Sequence, residues 1–215
     1  MHTFLASGRD ADVFVVGPGR VLRRYRDGSD VAPEVAVMAH VGRHGFPVPT
    51  VFRSEGPDLE MEHLDGTTML QALVNDDIRS DDAASILADL HRRLHAIPPM
   101  GMTSVGQHVL HLDLHPDNVL LTSGGPVLID WRNAAAGAPE LDVALSALIL
   151  AQVAVEPIDM APRAAELLDH FLARAPDSPT VMLDDAVHIR AGNPTLTPGE
   201  LGRLGSAADL LRAKV

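Results

Sequence analysis

His111-Leu112-Asp113-Leu114-His115-Pro116-Asp117-Asn118 is the densest polar run of the chain, and Ile129-Asp130-Trp131 follows, with Asp130 twelve residues after Asn118. Two apolar runs, Val119-Leu120-Leu121 and Val127-Leu128-Ile129, lie between these clusters and flank Ser123-Gly124-Gly125-Pro126. Runs of strand length around a Gly/Pro turn read as a hairpin. Acidic residues stand at both mouths of that hairpin, which makes it the place where chemistry is expected.

Upstream of the hairpin, the first 64 residues read mostly as strands and turns. Asp12–Val16 and Arg20–Tyr25 flank the turn Gly17-Pro18-Gly19, and Phe46–Phe52 and Leu59–Glu62 supply two further extended pieces. One helix is expected over 33–44, with Ser29 or Asp30 as cap, Pro33 in the first turn and Gly45 as the stop. After Asp65-Gly66 the texture becomes helical. Ala83, Ile86, Leu87, Leu90, Leu94 and Ile97 recur at three and four, which predicts an amphipathic helix capped by Ser80 or Asp81 and stopped at Pro98-Pro99. Its His91 and His95 read as core packing rather than as a site. Beyond the hairpin, proline punctuation predicts helices over about 139–155, 161–175, 179–191 and 198–213. The expected class is α+β, with a small β-rich lobe over 1–64, a connector near Met61–Gly66 and a larger helical lobe over 65–215.

Composition narrows the functions. A chain of 215 residues can hide roughly 70% of its unfolded surface, so it needs no staples. Without cysteine there is no disulfide, thiolate metal site or thiol nucleophile, and any chemistry runs on oxygen, imidazole or guanidinium. A cytoplasmic address fits this, and the segment Met1–Asp10 lacks the basic and apolar regions of a secretory signal. The apolar stretch Val143–Val155 is too short for the roughly 20 residues of a spanning helix, so no membrane is expected. A net charge of −12 repels phosphate backbones and disfavours nucleic acid, while cationic small molecules are better matched.

The spacing of Asp113 and Asn118 repeats the H-R-D-x-x-x-x-N of protein kinases, and Asp130 stands where D-F-G begins. Such spacing sets a base and two oxygen ligands around one triphosphate. The wording His-Leu-Asp-Leu-His-Pro-Asp-Asn-Val-Leu-Leu, with Ile-Asp-Trp downstream, more closely resembles the aminoglycoside phosphotransferase and choline kinase family of small-molecule kinases, over roughly residues 8 to 150. The resemblance implies a protein-kinase-like bilobal fold and magnesium-dependent transfer of phosphate from ATP or GTP to a hydroxyl of a small molecule. The acceptor region, about 139–215, is short for the family, which leaves a homodimer open.

Residue by residue, the resemblance makes Asp113 the catalytic base and Asn118 and Asp130 the magnesium ligands. His115 is expected beside the transferring phosphate or as a brace of the loop. Gly8 falls in the nucleotide-covering loop Gly8–Phe14, and Met61 and His63 in the hinge Leu59–Gly66 that meets the base. Asp142 looks like the family's aspartate that supports the catalytic loop. Glu34 corresponds to the glutamate that braces the phosphate-binding lysine, and helical spacing independently turns it inward with Met38 and Val41. The chain departs from the family at the lysine itself. Its single lysine is Lys214, so an arginine must meet Glu34, and strand alternation favours Arg23 over Arg24.

Other readings compete. Asp113 and Asn118 are also ordinary turn residues. His108, His111 and His115 could form a metal site of a hydrolase. Without its lysine, the chain could be a degenerate kinase-like domain that binds nucleotide without turnover.

Overall fold

The computed structural model describes residues 2–101 and 106–215; Met1, the first residue of the segment read for a signal, lies outside them. Five antiparallel strands form the N-terminal sheet: β1 (Thr3–Ser7), β2 (Ala11–Gly17), β3 (Arg20–Tyr25), β4 (Val51–Glu55) and β5 (Asp58–Glu62), in the order β1-β2-β3-β5-β4. Helix α1 (Ala32–Arg43) joins β3 to β4 and buries Glu34, Met38 and Val41, as its spacing requires. Neither expected cap side chain occupies the cap position, which falls to Val31, but Asp30 Oδ1 still accepts from the Ala32 amide at 3.0 Å. Gly45 ends the helix with φ +76°, a conformation that strains other residues. The run 46–52 is not one strand. Pro47 and Pro49 lack the amide a ladder needs, so pairing starts only at Val51. β1 was not foreseen because it is an edge strand with all five residues exposed, leaving no buried face to register as alternation.

The remaining chain is mostly helical. A short strand β6 (Gly66–Thr68) and helix α2 (Met69–Val74) lead to α3 (Ser80–His95); then come β7 (His108–Leu110), a 3-10 turn (Pro116–Asn118), β8 (Val119–Thr122), β9 (Gly125–Leu128) and β10 (Ala135–Gly137). Helices α4 (Pro139–Ala154), α5 (Ala161–Leu172), α6 (Leu183–Ala191) and α7 (Pro198–Lys214) complete the fold. Arg79 rather than Ser80 or Asp81 is the α3 cap residue, and Ser80 instead donates to Glu166 at 2.8 Å. The missed α2 begins with a reciprocal capping box, Thr68 with Gln71, but is too short for a periodic signal.

Packing explains the order. Ala83, Leu87, Leu90 and Leu94 of α3 and Val143, Ala144, Ala147, Leu148 and Ala151 of α4 are sealed from solvent. Each fully buried leucine is worth about 1.5–3 kcal/mol. Among the described residues, no helix is long and apolar enough to cross a membrane.

The two parts meet through backbone. β6, leaving the N-terminal sheet, pairs antiparallel with β8 of the β8–β9 hairpin, and Leu128 of that hairpin donates its amide to Pro47 O at 3.1 Å. At Gly66 a Cβ would collide with the carbonyl oxygen of Leu121, so the close approach of β6 to β8 needs a glycine there. Gly66→Ala is therefore expected to lower stability by about 1–3 kcal/mol. Urea unfolding should show a reduced midpoint at unchanged slope, and an unchanged midpoint would mean that this pairing is slack.

Candidate active site

The loop from His111 to Asn118 is gripped by two helices. Asp142, fully buried in the first turn of α4, accepts the Leu112 amide on Oδ1 at 2.7 Å, and on Oδ2 the His111 amide at 3.2 Å and His95 Nε2–H at 2.9 Å. Burial alone would raise the Asp142 pKa, but the bonds and charges of His91 and His95 drive it well below the carboxylate range. On the other side of Asp113, Ser146 Oγ donates to Leu114 O at 2.7 Å and is met by His91 Nε2 at 3.0 Å. These contacts hold Leu112 in the left-handed region, φ +63°, which costs a leucine roughly 1–2 kcal/mol. Asp113 follows directly on that strained residue.

Asn118 Nδ2 donates to Asp113 O at 2.9 Å and to Asp113 Oδ2 at 3.3 Å, and no described residue donates to its amide oxygen. His115 Nδ1 accepts the Asp117 amide at 3.3 Å, and its Nε2 lies 3.2 Å from Asn118 Nδ2 and 3.7 Å from Asp113 Oδ2. Burial raises the Asp113 pKa, but His115, His111 and Arg190 lower it by more, to about 2. The Ile129 amide donates to Asn118 O at 2.9 Å, so the backbone bearing Asp130 runs beside Asn118. Asp130 itself is left-handed, φ +64°, with its side chain 36% exposed.

Arg23, rather than Arg24, meets Glu34. Its Nη2 lies 2.6 Å from Glu34 Oε2 and also contacts the Tyr25 hydroxyl, while Nη1 reaches Asp130 Oδ1 at 3.2 Å. Tyr25 donates to Glu34 Oε2 at 2.5 Å, and the Trp131 amide donates to Glu34 Oε1 at 3.1 Å. Burial raises the Glu34 pKa, opposed by Arg23, Tyr25 and the Trp131 amide. Arg24 faces the other way and pairs with Asp58 at the surface. Trp131 is buried edge-on against Phe46 and His111, which accounts for it as packing.

Gly8, Met61 and His63 are not drawn into this cluster. Gly8 lies in the β1–β2 turn, where its amide donates to Ala11 O. Met61 is half-buried in β5 opposite Val21 and Val51, and the His63 amide is engaged by Gly19 O at 3.0 Å. The histidine metal set of a hydrolase does not form. His108 is held on His95 O, His111 donates to Ile129 O while burial lowers its pKa, and His115 faces Asp113. Among the described residues, the group whose ligand atoms come within 4.8 Å of one another is instead His91, His95 and Asp142, engaged as described in bracing the loop.

Several partners were not anticipated. Tyr25 shares the strand face of Arg23 two residues on, so the period of two could have found it. Arg132 ties Asp10 of the β1–β2 turn at 2.7 Å and Asp27 at 2.6 Å; Arg9 of the same turn pairs with Glu200 of α7 at 2.7 Å; and Arg190 of α6 lies 3.4 Å from Asp113 Oδ1. No local pattern announces pairs so far apart in sequence. The Asn118 amide oxygen and the Asp130 Oδ2, which receives no hydrogen bond from the described residues, are hard oxygen donors of the kind magnesium takes, so the residues present fit that ion.

Comparison with known proteins gives this geometry a context. The model of the APH phosphotransferase enzyme family matches residues 2–108 and 103–182. No match is found among curated proteins. Among solved structures, aminoglycoside phosphotransferase APH(4)-Ia superposes with a TM-score of 0.69 at 16% identity, covering 100% of this chain and 93% of that one. An ethanolamine kinase from Plasmodium vivax gives 0.63 at 10% identity, covering 100% and 84%, and a choline/ethanolamine kinase family protein from Mesorhizobium loti gives 0.61 at 14%, covering 99% and 92%. At these identities the likeness establishes the protein-kinase-like fold, with a β-sheet lobe and a helical part. Since the family match spans most of the same chain that adopts this fold, the protein belongs to the APH phosphotransferase enzyme family.

Proposed function

We propose that this phosphotransferase moves the terminal phosphate of ATP or GTP to a hydroxyl of a small molecule, with residues 1–64 holding the nucleotide and 65–215 the catalytic loop and acceptor. The observation that carries the reading is the junction of two networks: Asn118 fixes Asp113 from one side of the hairpin, and Arg23 links Glu34 to Asp130 from the other. In this reading Asp113 accepts the hydrogen bond of the acceptor hydroxyl and orients it for attack, and its proton leaves toward the carboxylate as transfer proceeds. Asn118 holds that carboxylate in place. Arg23 takes the family lysine's position on the phosphates, held by Glu34 and Tyr25, and Gly8, Met61 and His63 belong to the loop and hinge that enclose the nucleotide. His115 turns its Nε2 edge toward Asn118 and Asp113 Oδ2, where it braces the loop beside the reacting side. Magnesium, bound through oxygens of Asn118 and Asp130, would neutralise phosphate charge.

One observation favours a second reading. Arg23 already spends one nitrogen on Asp130, the carboxylate assigned to the metal, which is how a nucleotide-binding domain without turnover could arise. Magnesium-dependent nucleotide binding without phosphate release under any acceptor would select that reading.

Asp113→Ala is expected to keep fold and nucleotide affinity and to lose at least about a hundredfold in kcat, read by coupled ADP release. Normal turnover would remove Asp113 from the mechanism. Asp130→Ala should abolish the tightening of nucleotide binding by magnesium, measured by titration calorimetry with and without the ion.

Removing Arg23 leaves Glu34 buried without its cation, so Arg23→Ala should cost about 3–5 kcal/mol in stability and weaken nucleotide binding. Arg24→Ala, whose partner is at the surface, should change neither; denaturation and nucleotide titration of the two variants decide the matter. The depressed pKa of Asp113 sets the pH behaviour. A carboxyl lowered to about 2 stays ionised above that value, so kcat/KM should show no acid limb belonging to Asp113 from about pH 4 upward. A limb above pH 4 that disappears in Asp113→Asn would contradict the assignment.

A further inference from the structure

The two oxygens of Asp113 face different surroundings. Oδ2 points to Asn118 and His115, the side on which the proposed function places the nucleotide and metal. Oδ1 points to Arg190 at 3.4 Å, and by exclusion this is the side left for the acceptor.

Arg190 is held in position before any ligand arrives. Its Nε donates to Gln152 Oε1 at 2.9 Å; Gln152 is buried in α4 and its own Nε2 donates to Glu200 O at 3.2 Å. The Arg190 side chain is only 12% exposed, yet at 3.4 Å it makes one long contact with Asp113 rather than a two-pronged pair, and its Nη2 makes no hydrogen bond among the described residues. A second guanidinium stands nearby. Arg9, in the β1–β2 turn, is close enough to act electrostatically on Asp113, Asp117 and Arg190, and it is steered by Glu200, whose other oxygen is fixed by the Thr197 amide at 2.8 Å. Burial lowers the Arg190 pKa, with Arg9 adding repulsion and Asp113 and Glu200 opposing them. A positive charge from each lobe therefore acts on Asp113, Arg190 in contact at 3.4 Å and Arg9 through space. Glu200 answers Arg9, and no carboxylate closes on Arg190 as a fork.

We propose that Arg190 is a specificity-determining residue and that the acceptor is a hydroxyl compound bearing a carboxylate or phosphate near the reacting hydroxyl, received by the Arg190 guanidinium while the hydroxyl meets Asp113 Oδ1. This rests on the phosphotransferase reading. A guanidinium fork matches a planar carboxylate or a phosphate in charge and direction, whereas an amino-alcohol would bring its ammonium against Arg190. The net charge of −12 favours cations over the surface as a whole, but the field beside Asp113 Oδ1 is set by this buried arginine.

The test uses small hydroxyl compounds of matched size: glycerate and glycerol 3-phosphate as anions, glycerol as neutral, ethanolamine and choline as cations. Binding is measured calorimetrically to the full chain saturated with magnesium and a non-hydrolysable ATP analogue, so that the nucleotide's own phosphate position is filled. Turnover is then followed by ADP release. At least one anion should bind and react with kcat/KM about tenfold or more above glycerol and the amines. Arg190→Gln should erase that advantage mainly through KM, and Arg190→Lys, which keeps the charge, should restore part of it. Preference for an amine, a preference unchanged in Arg190→Gln, or no binding by either anion overturns the proposal. So does a weakened nucleotide complex in Arg190→Gln with acceptor choice intact, which would place Arg190 on the transferring phosphate. The binding arm requires no turnover. A chain that binds glycerate through Arg190 and never releases ADP would refute the transferase reading while leaving the anion site standing, and one that releases ADP only with amines would do the reverse.

Discussion

A single buried carboxylate sets the geometry of the loop from His111 to Asn118. Asp142 sits at the start of α4 with no exposure to water, a position that is unfavourable for a charge unless donors surround it. Here the donors are two loop amides and His95, with His91 3.4 Å away, and each constrains something else. The amides fix where the loop turns, and this supports Leu112 in a conformation a leucine would not choose alone. The histidines bind α3 to α4, and through Ser146 the same pair of helices also holds Leu114 beyond the turn. Asp113 is thereby fixed on both flanks by groups of α3 and α4.

A second carboxylate plays the matching part at the other end of the cleft. Glu34 comes from α1, but its partners come from two other places: Arg23 and Tyr25 on β3 and the Trp131 amide just past Asp130. It therefore couples the N-terminal sheet to the segment that follows the hairpin. Trp131, wedged edge-on between Phe46 and His111, gives that coupling an apolar floor. Displacing α1 would move Arg23 and the Asp130 region together.

Most of this frame was legible because short-range rules applied. The β8–β9 hairpin announced itself by two apolar runs about a Gly/Pro turn, α3 by its three-and-four spacing, and the Arg23–Glu34 pair by the combination of helical and strand periods. Where burial is absent, the signal is absent too: β1 lies wholly exposed at the sheet edge, and α2 spans less than two turns. Arg9, Arg132 and Arg190 were hidden for a different reason. Each acts across more than 70 residues of chain on a partner chosen by tertiary packing, and no local pattern encodes that choice. The proline-broken run 46–52 shows the converse, since extended composition does not make a strand where the amides are missing.

The arginine at position 23 alters what the cleft can tolerate. An ammonium at that place would have a single nitrogen to divide among its neighbours and would lose its proton more readily when dried and buried. The guanidinium spreads its charge over a plane and addresses Glu34, Tyr25 and Asp130 in distinct directions at once. Its neighbours Asp130, Glu34, Tyr25 and Asp10 raise its pKa further, against the opposing effect of burial. The site around Arg23 thus keeps its positive charge through the alkaline range. It also offers no amine to acylating or carbonyl reagents, which would find their one lysine target at residue 214, the last residue of α7.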